Sequence, residues 1–62
     1  MLTVQQIDTN YSEIPVGQID GDFDDFIARW DLAVTERDEH TAKCEAEWGN
    51  GNGADHFVVT LQ

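Results

Sequence analysis

The stretch from Ile19 to Glu39, IDGDFDDFIARWDLAVTERDE, decides how the rest of the chain is read. Wound into a helix, Phe23, Phe26, Ile27, Trp30, Ala33 and Val34 obey the i, i+3, i+4, i+7 rule and share one stripe about 120° wide. A stripe of that width needs a sheet to cover. Asp22 has the side chain of a helix N-cap, and Asp24 and Asp25 follow in the first turn, where the helix dipole favours anions. On the same helix Asp24, Asp31 and Asp38 recur every seven residues along one flank. Asp25, Glu36 and Glu39 lie on the back with Arg29, as does Leu32. The exposed side then reads as a carboxylate array.

On either side of this stretch the apolar period changes to two. Met1 to Ile7 alternates, with Leu2 and Val4 on one side, which predicts a first strand. Asp8 to Gly21 reads as a connecting loop, punctuated by Pro15, Gly17 and Gly21. Tyr11, Ile14, Val16 and Ile19 are its expected apolar anchors, and a short edge strand could run through Ile14 to Val16. Between Thr41 and Trp48 two periods compete. Ala42, Cys44, Ala46 and Trp48 alternate with Lys43, Glu45 and Glu47, as a strand would, whereas the propensities of Ala, Lys and Glu favour helix.

The run GNGNG from Gly49 to Gly53 suits a hairpin turn; in the competing reading Gly49 caps a long helix. His56 to Leu61 closes the chain as a strand, with Phe57, Val59 and Leu61 on one face. The expected fold is α+β: a β-α-β-β domain with one amphipathic helix on a three-stranded antiparallel sheet. The last strand lies at the centre, and the order is first, third, second. The alternative is one long helix flanked by short strands.

Sixty-two residues make a single domain, 1–62. A chain of this size buries only about 60% of its extended surface, so a homodimer is one route to added stability. Thirteen acids oppose three bases, for a formal charge of −10, which disfavours nucleic acid and anionic membrane as direct partners and favours basic protein surfaces. The 40% apolar content argues for a packed domain rather than an acidic tail. The single cysteine, Cys44, allows no internal disulfide and fits a reducing compartment. With no basic segment leading into an apolar run, and no span of roughly 20 apolar residues, the expected location is cytoplasmic.

Four constellations could carry chemistry. Asp20, Asp22, Asp24 and Asp25 resemble the opening of an EF-hand loop, which makes a divalent-cation-binding protein one reading. The match fails at Asp25, where the loop needs glycine, and at Asp31, where it needs glutamate. His40, Cys44 and His56 lack a diagnostic metal spacing, so no metal or other cofactor is expected. A nucleophile built on Cys44 would need a cleft that so short a chain gives no sign of, and the expectation is a protein that is not an enzyme. The fourth is the acidic surface, with ten of the thirteen acids between Asp20 and Glu47. Helix residues seven apart stand about 10 Å apart, roughly three steps of a DNA strand, so such carboxylates can imitate phosphates.

In size, acidity and scarcity of bases the chain resembles the phage- and plasmid-encoded DNA-mimic inhibitors, among them anti-restriction and anti-CRISPR proteins. The resemblance is compositional and carries no residue roles with it. The expected partner is a protein with a basic, nucleic-acid-binding surface. The expected contact residues are Asp20, Asp22, Asp24, Asp25, Asp31, Glu36, Asp38, Glu39, Glu45 and Glu47. An antitoxin or transcription-modulating adaptor is the alternative within the same class.

Overall fold

A computed structural model describes residues 1–61. Five strands and one helix follow in the order β1 (Leu2–Gln6), β2 (Gly17–Ile19), α1 (Phe23–Trp30), β3 (Ala33–Arg37), β4 (Thr41–Glu47) and β5 (Ala54–Leu61). All five strands join one antiparallel sheet in the order β2-β1-β5-β4-β3. The α+β class, the strand assignment of 41–47 and the β1-β5-β4 order with the last strand central agree with the sequence reading. The sheet has five strands rather than three because both edges are extended, by Gly17–Ile19 and Ala33–Arg37, segments that the sequence pattern alone reads as loop and helix.

Period-two alternation sets the faces. Cys44 pairs with Phe57 and Ala42 with Val59, and all four point into the core with Leu2 and Val4 of β1. The small β4 side chains leave room above the sheet for Phe23 and Phe26 of α1, both buried in the same cluster. The opposite face carries polar residues such as Thr3, Lys43, Glu45 and Thr60, as expected of an antiparallel sheet covered on one side. Among the described residues no helix is long and apolar enough to cross a membrane.

The helix starts where its cap predicts. Asp22 is extended (φ −101°, ψ 167°), its carboxylate accepts from the Asp25 amide at 2.8 Å, and its carbonyl accepts from the Phe26 amide at 3.2 Å. Gly21, at φ +112°, makes the turn into that cap. The end differs from the sequence expectation. Asp31 is left-handed (φ 52°, ψ 50°), its amide and that of Leu32 both bond to the Ile27 carbonyl, and the chain leaves the helix after eight residues. Leu32 then drops into the core rather than facing solvent from a helix back. Ala33 and Val34, expected in the helical stripe, open β3 instead. The register of β3 on β4 shifts between Val34 and Glu36, the mark of a β-bulge.

Of the expected anchors only Ile14, in the long 8–16 connection, is buried, and Ile19, at the end of β2, is partly so. Val16 is exposed and Tyr11 is 75% exposed, and the edge strand forms at Gly17–Ile19 rather than at Ile14 to Val16. Tyr11 rests edge-on against Trp48, ring centroids 5.3 Å apart. Trp48 also covers Gly53 in the β4–β5 turn, where an added Cβ would stand 2.7 Å from the indole Cζ3. Gly53→Ala is therefore expected to lose about 1–3 kcal/mol through forced movement of the indole. Gly49→Ala, in open space four residues earlier, should change stability by less than about 0.5 kcal/mol. Urea titrations of the two variants check the contrast.

Candidate functional site: the acidic end of the sheet

The ten acids nominated by the sequence do not form one row. Asp24 lies in the first turn of α1, Asp31 is its left-handed cap, and Asp38 follows the end of β3, so the seven-residue spacing has no helix to act on. What the topology does instead is sort the acids by sheet end. At one end lie the start of β1, the end of β2 and the end of β5, because Leu2 pairs with both Ile19 and Leu61. The start of β4 and the end of β3 lie there too, since Thr41 pairs with Thr60 and Arg37 with Ala42.

The β2–α1 connection with Asp20 and Asp22 therefore leaves the sheet at the same end as the β3–β4 turn with Asp38 and Glu39. Two contacts tie this end together. The Arg37 guanidinium lies over the Phe23 ring, 4.6 Å from its centroid, and the Leu61 amide bonds to the His40 carbonyl at 2.7 Å. Asp24 and Asp25, in the first turn after Phe23, belong to this end as well. Asp31 and Glu47 sit at the other end, and Glu36 and Glu45 lie on the open face of the sheet, opposite Lys43 and His56 respectively.

Some of these carboxylates hold the fold and others are free of such duty. Asp38 accepts from the amides of His40 and Thr41, each at 2.8 Å, and from the Thr41 hydroxyl at 3.1 Å. Those bonds hold its carboxyl below the ordinary aspartate range. Asp22 is committed to the helix cap. Asp20, Asp24 and Asp25 make no ion pair with a base among the described residues. The three bases do little to neutralise them: Arg37 is over Phe23, Arg29 is over Trp30 at 5.7 Å, and only Lys43 meets an acid, Glu36, at 3.2 Å. An open groove of about 380 Å³ borders this end, lined by Asp20, Asp22, Asp25 and the base Arg29 together with Ile19, Phe26 and Trp30.

The cation and metal candidates are dispersed. The resemblance to an EF-hand opening covers residues that become a helix from Phe23 onward. No group of three or more metal-capable side chains comes together among the described residues. His40 is exposed in a turn, while Cys44 points into the core, where burial pushes its thiol up. His56 is on the opposite face of the sheet from Cys44, its ring between Asp8 at 2.9 Å and Glu45 at 3.6 Å.

Sequence reasoning missed Asp55. It is fully buried, on the core face of β5 in step with Phe57 and Val59. One carboxylate oxygen accepts from the Thr9 hydroxyl (2.6 Å) and the Tyr11 amide (3.1 Å). The other accepts from the Ser12 amide (2.9 Å) and the Ser12 hydroxyl (2.7 Å). Burial alone would raise its pKa, but these four bonds outweigh burial and hold the carboxyl far below the usual range. Asn10 completes the clamp by bonding both the carbonyl and the amide of Ile14. The signal in the sequence was an aspartate in phase with an otherwise apolar strand face. No protein-family model, no curated protein and no solved structure matches this chain, so the reading of the acidic end rests on its own geometry.

Proposed function

We propose that this protein is a non-enzymatic acidic binding protein whose acidic end occupies the basic, nucleic-acid-binding surface of another protein and so excludes nucleic acid from it. The observation that carries the reading is the convergence of two acidic segments distant in sequence, Asp20 to Asp25 and Asp38 to Glu39, at one end of the sheet. Carboxylates gathered on a rigid scaffold repel nucleic acid, attract Lys- and Arg-rich surfaces, and speed encounter with them in a salt-dependent way.

The test uses the whole chain as bait at low salt and asks whether a retained protein is released by a DNA duplex. Asp20→Asn, Asp25→Asn and Glu39→Gln together remove three charges from the acidic end without touching the Asp22 cap or the Asp38 turn. This variant should slow association roughly tenfold and flatten its salt dependence. The matched variant Glu13→Gln, Asp31→Asn and Glu47→Gln removes the same charge from the other end, where Ser12, next to Glu13, bonds Asp55 at the start of β5, and should bind nearly as the parent does. Equal losses in both variants, or a partner indifferent to DNA, would reject the reading.

A further inference from the structure

We propose that the groove beside α1 receives one long basic side chain, lysine or arginine, from the partner protein. This rests on the reading of the acidic end as a surface that meets a basic protein, and it adds the point of insertion. The groove has two parts of different chemistry. Buried Phe26 and half-buried Ile19 and Trp30 give it an apolar floor, and exposed Asp20, Asp22 and Asp25 stand at its rim. Its volume of about 380 Å³ lies at the small end of ligand-binding clefts, which suits one side chain rather than a helix or a strand.

Other occupants leave one of the two parts unmet. An apolar side chain would cover the floor but strip water from carboxylates that gain no partner, at a cost in free energy. A small cation would meet the carboxylates and leave the floor wet. A lysine or arginine lays its methylene stem on apolar surface and keeps its charged head at the rim. The groove's own base does not take this place: the Arg29 guanidinium lies over the Trp30 ring, 5.7 Å from its centroid, and among the described residues it pairs with no acid. Asp20 and Asp25 are likewise without an ion pair, so the lining keeps three acids against one base. A second copy is a poor donor. It brings a charge of −10, and two of its three bases are engaged, Arg37 over Phe23 and Lys43 with Glu36.

NMR titration of the wild-type chain with N-acetylated, C-amidated glycyl tripeptides tests the groove without the partner. With lysine or arginine as the central residue, saturable shifts are expected at the amides of Ile19, Asp20, Gly21 and Asp25 and at the Trp30 indole. Diaminopropionic acid keeps the charge with a shortened stem, norleucine keeps the stem without the charge, and each should bind at least roughly fivefold more weakly than lysine. Asp20→Asn with Asp25→Asn should weaken the lysine peptide at least roughly fivefold. Glu39→Gln, at the same end but outside the groove, should leave it within about twofold. No saturable binding, equal binding of the lysine and diaminopropionic acid peptides, or shifts centred on the β3–β4 turn overturns the insertion. Release of a retained protein by DNA is read in the separate bait experiment, so the insertion and the broader reading of the acidic end fail independently.

Discussion

Phe57→Ala should remove about a third or more of this protein's stability at 25 °C. Phe57 is fully buried on the central strand, with β1 on one side and β4 on the other, facing Gln6 and Cys44 in the two ladders. Truncating a buried phenylalanine typically costs about 3–5 kcal/mol, the lost transfer energy plus the cavity left behind. A domain of this length holds roughly 3–9 kcal/mol in all, at the usual stability per residue. The small side chains of Ala42, Cys44 and Ala46 have no long arms with which to refill the space. Val58→Thr, one residue on and facing the open side of the sheet, should cost under about 1 kcal/mol, as partly exposed positions usually do. Urea unfolding followed by circular dichroism checks both; a Phe57→Ala loss below about 1 kcal/mol would show that the core is not centred on this ring.

The second large effect is expected at Asp55. Asp55→Asn keeps the shape of the side chain but replaces one acceptor oxygen by a donor facing the donors of the 9–12 loop. It should cost about 3 kcal/mol, the usual loss when one partner of a buried charged hydrogen-bond network is removed. The same residue governs acid stability. Its folded pKa is depressed, so its stabilisation is fully present above the unfolded carboxylate value, near 3.9, and is lost as pH falls from there toward the folded value. Asp8 and Asp38 are shifted in the same direction and add to the slope with smaller weight, because both are exposed.

Protonation of the free surface acids acts the other way by relieving self-repulsion, so the informative quantity is the difference between wild type and Asp55→Asn. That difference should be flat from about pH 5 to 7 and shrink below about pH 4. Thermal melts across pH measure it, and a difference that persists unchanged at pH 2 would mean that the Asp55 carboxylate does not hold the loop. Amide exchange at Tyr11 and Ser12 should quicken in the variant, since both amides donate to this carboxylate.

The elements legible in the sequence are those whose signals are local. The Asp22 cap, the alternation of Ala42, Cys44 and Ala46, the glycine-rich turn and the Phe57–Val59 face each need only neighbouring residues, because a strand buries every second side chain and a cap bonds within its own first turn. The charge of −10 and its bias toward the middle of the chain were equally plain. Tertiary structure alone decided where the helix stopped. From Leu32 to Val34 the residues satisfy either period, and pairing with β4 settled the matter by satisfying the backbone of β3 while Asp31 turned left-handed and Leu32 entered the core. The position of the acids followed from that choice. Carboxylates seven apart share a face only on a helix that continues. Once the chain turns back as a strand, the register of the sheet brings Asp38 and Glu39 to the same end as Asp20 and Asp22, and that register depends on partners far away in sequence.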